Sequence, residues 1–362
     1  MSEIKIKLAA GTNVGLIRQN NEDNFIVSSD LSKSEWLIPQ AGPYADLGEF
    51  GALLVVADGM GGANAGEVAS AIAVETVQEK FNPDALKEVI QDDKSVQEFM
   101  KDVVKQADLN ILNHSKEEQS TKGMGTTIVM AWVLGDKAYV CWCGDSRCYV
   151  LNKKHGLIQL SKDHSYVQEL VDKGELAPEL MHDHPLSNVI TRCLGDVDNR
   201  ANPETRIYQI HNGDAIMLCS DGLCGLCHDD QILDTLINFH EDPIECKNEL
   251  IADALAAGGY DNVTVAIANI QTDEEEEEET TTEPSAAEEE KAEEETGEDL
   301  SATVRTKPIR RSHKFRNSLI VLLILLIGAG AYIWLSKDCE PLKQKIVETI
   351  MPYWTQLISY FK

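Results

Sequence analysis

Basic residues are scarce in this 362-residue chain: 32 Lys and Arg stand against 61 Asp and Glu, a net charge of −29. The deficit is uneven. Residues 273–299 hold 16 acids and one lysine, or −15, whereas residues 300–362 hold ten bases and three acids, or +7. That leaves −21 on residues 1–272. So acidic a body argues against nucleic acid as a partner, because phosphate backbones are held by Lys and Arg. Bound divalent cations would offset part of the charge locally. A secretory signal is also missing, since Met1–Ala10 is short and charged throughout. The nine cysteines lack the second, well-separated pair of a zinc module: Cys141-x-Cys143 stands alone, and Cys219, Cys224 and Cys227 gather at one turn. That leaves zinc as the minor reading. Scattered cysteines in apolar surroundings suit a reducing compartment, where they serve as small core residues.

Four aspartates are the most informative residues present. Leu53–Ala57 leads into Asp58-Gly59-Met60-Gly61-Gly62, Ala138–Cys143 into Gly144-Asp145-Ser146-Arg147, and Ile216–Cys219 into Ser220-Asp221-Gly222. Gly258-Gly259-Tyr260 leads into Asp261-Asn262, and the apolar run Val263–Ile267 follows. Short β-branched runs bounded by Gly, Ser and Asn read as buried strands. An aspartate at a strand end beside glycine places a carboxylate on the rim of a rigid scaffold. Several converging rims hold hard divalent cations, which take oxygen ligands. A metal-dependent enzyme acting on phosphate is the leading expectation. Arg18-Gln19-Asn20-Asn21-Glu22-Asp23 adds a planar guanidinium matched to phosphate oxygens and two carboxylates able to hold metal-bound water. Alone, that segment reads as an ordinary polar turn.

The apolar periodicities predict strands at 4–8, 24–28, 52–57, 127–134, 137–143, 147–151, 206–210, 215–219 and 263–270. They predict helices at 64–80, 84–91, 95–114, 163–173, 230–238 and 243–257. Strands precede, interrupt and follow the helices, so a simple βαβ alternation fails and a mixed architecture with antiparallel pairing is expected. Residues 30–50, polar with Pro and Gly, are expected to form a hairpin or surface loop.

Six motifs stand in order: Arg18–Asp23, Asp58–Gly62, Gly123-Met124-Gly125-Thr126-Thr127, Gly144–Arg147, Ser220–Gly222 and Asp261-Asn262. The series resembles the PPM, or PP2C-type, metal-dependent protein serine/threonine phosphatases in their bacterial form, over residues 5 to about 270. The resemblance implies an α+β fold, a PP2C-like αββα sandwich of two antiparallel sheets flanked by helices. It implies two Mn2+ or Mg2+ ions in a cleft, with a weaker third. By motif, Asp58 would bridge the two ions, Gly59 would lend its carbonyl, and Asp221 and Asp261 would complete the sites. Asp145 would join Asp221 on the third ion, Glu22 and Asp23 would anchor metal-bound waters, and Arg18 would clamp the substrate phosphate. Two close divalent ions make hydroxide available near neutral pH for in-line attack on phosphorus, so no covalent phospho-enzyme is implied. The implied substrates are phosphoserine and phosphothreonine proteins, targets of a bacterial Ser/Thr kinase.

This chain departs from the family pattern at three places. Met60 stands where animal members carry a histidine, leaving protonation of the leaving group to water at the metals. Ala63 replaces a histidine that commonly follows the Gly-Gly pair. Gly225 stands where some relatives place another acid, which implies a weaker second site. The segment from Asp163 to Gly195 matches the family's flap, where His182, Asp183 and His184 read either as surface polarity or as a metal group. No basic glycine-rich loop surrounds a cysteine, so thiol-based phosphate transfer is excluded. Two rival readings are a catalytically dead, membrane-anchored phosphoprotein-binding module and a phosphatase for non-protein esters.

The layout is a catalytic domain at 1–271, an acidic linker at 272–304, a basic segment at 305–317, a transmembrane helix at 318–336 and an amphipathic tail at 337–362. The linker has little to bury and repels itself, so disorder is expected. Leu319–Leu335 is an uncharged run of 17 residues. At ~1.5 Å per residue it reaches ~26 Å, near the lower limit for a bilayer span. Six basic residues from Arg305 to Arg316 precede it, and Lys337, Lys343 and Lys345 follow. That asymmetry puts the catalytic domain on the cytoplasmic side and the tail outside, with the lipid bilayer as a partner.

Overall fold

The computed structural model describes residues 4–33, 35–36, 43–61 and 65–273. Ala63, the linker beyond its first two residues, the basic segment, the 318–336 run and the tail lie outside the described residues. Among the described residues no helix is long and apolar enough to cross a membrane.

Twelve strands are described: β1 (Ile4–Asn13), β2 (Asp23–Ser28), β3 (Ala45–Asp46), β4 (Ala52–Met60), β5 (Gly125–Thr126), β6 (Ile128–Leu134), β7 (Lys137–Cys143), β8 (Arg147–Asn152), β9 (Gly156–Gln159), β10 (Glu204–Gln209), β11 (Ala215–Cys219) and β12 (Val263–Thr272). The α-helices are α1 (Gly66–Lys80), α2 (Pro83–Val89), α3 (Asp93–Glu117), α4 (Tyr166–Asp172), α5 (Asp221–Cys224), α6 (Asp229–Asn238) and α7 (Pro243–Ala256). One sheet runs β3-β1-β12-β11-β8-β9; the other runs β10-β7-β6-β4-β2, with β5 on the end of β4. Neighbouring strands pair antiparallel throughout.

Period-two alternation explains the layering. In β4, Leu53, Val55 and Ala57 face Ala69, Ala73 and Val77 of α1 and Met100, Val104 and Ala107 of α3. Leu54 and Val56 face the other sheet, meeting Ile216 and Leu218 of β11 and Ala266 and Ala268 of β12. The outer face of that second sheet, with Met217 and Val265, is covered by Ile232 and Leu236 of α6 and Leu250 and Ala254 of α7. The central strands β4, β6, β7, β11 and β12 are thus buried on both faces, which is why they read as near-continuous apolar runs. Cys141 and Cys143 share the helix-facing side of β7, as their spacing predicts.

The structure differs from the sequence reading in a few elements. The helix expected from residue 163 begins at Tyr166, because the Ser165 hydroxyl caps it by accepting from the Gln168 amide. Asp163 and His164 thereby remain in a loop. The one-turn α5 and the edge strand β9 were not expected; each is too short to carry a periodicity. Within 30–50, Ala45–Asp46 adds a short edge strand to β1.

Candidate metal centre

Strand register brings the motifs to one end of the sandwich. Asp23 at the start of β2 lies opposite Asp58 near the end of β4. Cys219, just before Ser220-Asp221, lies opposite both Arg147, two residues after Asp145, and Val265, just after Asp261-Asn262. The side chains surround a cavity of about 410 Å³ lined by Arg18, Glu22, Asp58, Gly59, Asp145, Asp221 and Asp261, with Met60, Gly61, Thr127, Asn188 and Ile190 on its remaining wall. Of the sequence-predicted residues, only Asp23 is not on that lining. It is buried, and its Oδ2 accepts hydrogen bonds from Ser220 Oγ (2.8 Å) and Thr264 Oγ1 (2.6 Å), tying β2 to β11 and β12.

The other motifs lock the aspartates in place. The Asp58 carbonyl accepts from Thr127 N (2.9 Å) and Thr126 Oγ1 (2.8 Å), and Thr127 Oγ1 shares a 2.7 Å bond with Ser146 Oγ. This gives the Gly123–Thr127 motif its role: it straps the Asp58 strand end to the Asp145 turn. Gly144 adopts φ +128°, and a Cβ there would overlap the Thr127 side chain. A Cβ on Gly222 would likewise overlap the Asn262 carbonyl oxygen, so the Asp221 and Asp261 turns touch through bare backbone. Asn262 Oδ1 accepts from the Glu22 amide at 2.7 Å, joining the last motif to the first. Ser70 of α1 donates to the Glu22 carbonyl at 2.7 Å. Ser70, Thr264, Asn188 and Ile190 carried no sequence signal.

The flap segment is pinned at its base. Asp163 forms a bidentate pair with Arg147 at 2.7–3.0 Å, both largely buried. His164 N donates to the Gly144 carbonyl (2.9 Å), and Thr126 and Leu194 exchange backbone hydrogen bonds.

The electrostatics are those of an acid cluster short of cations. Burial, then repulsion from Asp23, Asp221 and Asp145, holds the Asp58 carboxyl well above the usual carboxylate range. Burial, Asp221 and Asp163 do the same to Asp145, while burial and Asp261 raise Asp221. Burial pushes Asp23 up to about 7, against the lowering hydrogen bonds from Thr264 and Ser220. Burial and Glu67 raise Glu22. Arg18, its side chain half exposed, donates to Asp261 Oδ2 at 2.8 Å, which raises the guanidinium further. Oxygen donors whose ionised forms are disfavoured without positive charge fit hard divalent ions. The acids are spread round the wall: among the described residues, no three of them bring ligand atoms within 4.8 Å of one another. Two ions bridged by one carboxylate divide the donors between two coordination shells, so not every acid has to reach the same ion.

The cysteines stand apart from this chemistry. The eight described are free, and burial pushes Cys143 up to about 12 and Cys193 up to about 11. Among the described residues they form no metal group, which answers the minor zinc reading of Cys219, Cys224 and Cys227.

A two-sheet sandwich with an acidic cleft where strand-end aspartates converge defines a class of metal-dependent hydrolases. The chain belongs to the protein phosphatase 2C family, whose profile matches residues 44–257. The serine/threonine phosphatase stp of Listeria monocytogenes is 31% identical over 258 residues, 71% of this chain and 92% of that protein. The crystal structure of the Mycobacterium tuberculosis serine/threonine phosphatase PstP/Ppp matches with 32% identity and a TM-score of 0.59, covering 74% of this chain and 99% of that one. The catalytic domain of PstP in complex with two manganese ions matches with 30% identity and a TM-score of 0.57, over 74% of this chain and 99% of that one.

Proposed function

We propose that this chain hydrolyses phosphoserine and phosphothreonine in proteins, as a metal-dependent phosphatase working at the acidic cleft. The observation that carries this reading is the cavity walled jointly by Arg18, Asp58, Asp145, Asp221 and Asp261. Asp58, the Gly59 carbonyl, Asp221 and Asp261 would hold two Mn2+ or Mg2+ ions, with Asp145 and Asp221 offering a third, weaker position. Bound there, the ions lower the pKa of water and neutralise phosphoryl oxygens. The residues of the chain do the rest. Arg18 exchanges its Asp261 partner for the substrate phosphate. Glu22 orients solvent, while Asp23, off the lining, braces the strand ends through Ser220 and Thr264. Among the described lining residues the one hydroxyl is Thr127, already engaged by Ser146. With that hydroxyl engaged and the cleft carboxylates committed to holding the ions, water is the attacking group in this reading. Met60 has no proton to give a leaving alkoxide.

Manganese-dependent phosphate release from a phosphothreonine peptide, run beside small phosphate esters, tests the reading. No turnover at saturating manganese would favour a binding module without catalysis, and preference for small esters would favour a non-protein substrate. Arg18→Ala is expected to raise KM about tenfold, the scale of one charge-assisted hydrogen bond, with kcat nearly unchanged. A fall in kcat at constant KM would instead mean that Arg18 serves mainly to position Asp261.

We further propose that residues 318–336 anchor the chain in a membrane with the catalytic domain cytoplasmic, opposing a Ser/Thr kinase. The uncharged run and its flanking-charge asymmetry support this. The full chain is expected to pellet with membranes and a variant lacking 305–362 to remain soluble and active. A truncated protein that still sediments with membranes overturns the anchor.

A further inference from the structure

One group of metal-ligating side chains is separate from the cleft acids. His182 and Asp183 lie in the flap segment, and His228 lies immediately before α6, 46 positions further along. A nitrogen of each imidazole and an oxygen of Asp183 all fall within 4.8 Å of one another. The two rings lie 3.9 Å apart between centroids, and His182 Nδ1 is 3.4 Å from Asp183 Oδ1. His184, which the sequence groups with them, is not part of the cluster: its Nδ1 accepts from the Leu186 amide at 3.1 Å, closing a local turn.

A second observation points to a ligand. His182 Nε2 is enclosed and has no hydrogen-bond partner. A buried polar atom without a partner is destabilising until something binds it. The surroundings are acidic on balance: Asp229 and Asp230 follow His228, and Asp145, Asp163 and Asp221 line a cavity of about 50 Å³ that His182 borders, against the one guanidinium there, Arg147, which pairs with Asp163 and Asp229. A cation would be favoured there on charge alone, and the donor set says which kind. Two imidazoles and one carboxylate suit zinc and its borderline neighbours, whereas the all-oxygen cleft suits manganese and magnesium. Zinc with bonds of ~2.0–2.2 Å sets ligand atoms ~3.3 Å apart. The Asp183 side chain is 80% exposed, so it is free to turn inward; His228 is exposed too, and its side chain also caps the N-terminus of α6.

We propose that His182, Asp183 and His228 form a zinc site that clamps the flap to the body of the domain. Equilibrium dialysis of the full chain against Zn2+ in excess Mn2+ tests it. His182→Ala/His228→Asn keeps every cleft acid, and Asn preserves an N-cap for α6. Wild type and His184→Ala are expected to retain one zinc more than this double variant. Zinc is also expected to slow proteolysis within 178–190 about tenfold in wild type and not in the variant. Equal zinc content in wild type and the double variant overturns the site; zinc bound without protection of the flap overturns the clamp. Phosphatase activity enters neither readout, so failure here is distinct from failure of the catalytic reading.

Discussion

Asp58→Asn is expected to lower kcat for manganese-dependent release of phosphate from a phosphothreonine peptide by at least about a thousandfold, some 4 kcal/mol of barrier. The loss is chemical rather than structural. The bonds that hold this strand end use the backbone and Thr127 (the Asp58 carbonyl accepts from Thr127 N and Thr126 Oγ1, and its amide donates to Thr127 Oγ1), so asparagine leaves them in place. What disappears is the charge in the most crowded position, with Asp23, Asp221 and Asp145 all repelling it. The same substitution should therefore stabilise the metal-free protein by about 1–2 kcal/mol, a few degrees in Tm. It should also abolish most of the rise in Tm that manganese gives the wild type. A variant with normal turnover would remove Asp58 from the bridging role. One with lost turnover and a lower metal-free Tm would mean that the fold had been damaged instead.

Much of this was legible in the sequence because strand ends are. The runs before Asp58, Asp145 and Asp221 are buried on both faces, so they stand out as apolar stretches, and the turn residue after each marks the rim. What was not legible depends on contacts between distant segments. The fit of Gly144 against Thr127 and of Gly222 against Asn262 explains why glycine occupies those turns, but only the folded chain puts them in contact. Asp23 sits beside Glu22 in sequence, yet β pairing sends it behind Asp58, to Ser220 and Thr264, while Glu22 lines the cavity. The partner that His182 finds across the fold is His228, not the nearer His184. The elements missed, α5 and β9 with four residues each and β5 with two, fall below the length at which a period can be read.

The stability of the metal-free chain is expected to fall as pH rises from about 4 to about 7, opposite to the usual behaviour of paired surface acids. Asp23, Asp58, Asp145 and Asp221 all have folded-state pKa values above the unfolded value of 3.8, and Asp23 at about 7 carries the window at least that far. Within it the folded state binds more protons than the unfolded state, so the slope of unfolding free energy against pH is negative. Hydrogen-bonded Asp30, Asp92, Asp93, Asp172 and Glu204 have lowered values. Their stabilisation is complete above the unfolded carboxylate range and is lost only below about pH 4, outside the window. His164, lowered by burial and Arg192, gives the opposite slope below its unfolded value of 6.5, one group against five, since Glu22 is raised as well. Manganese takes the ionised carboxylates, so its stabilisation should grow with pH, reaching about 2.7 kcal/mol per site at a hundredfold excess over Kd. Thermal scans from pH 5 to pH 8, in chelator and in manganese, check both halves. The expected result is a chelator Tm that declines with pH and a manganese shift that is large at pH 8 and small at pH 5. A chelator Tm that climbs across that range, or a manganese shift independent of pH, would mean that these carboxylates are not held against their own repulsion to receive cations.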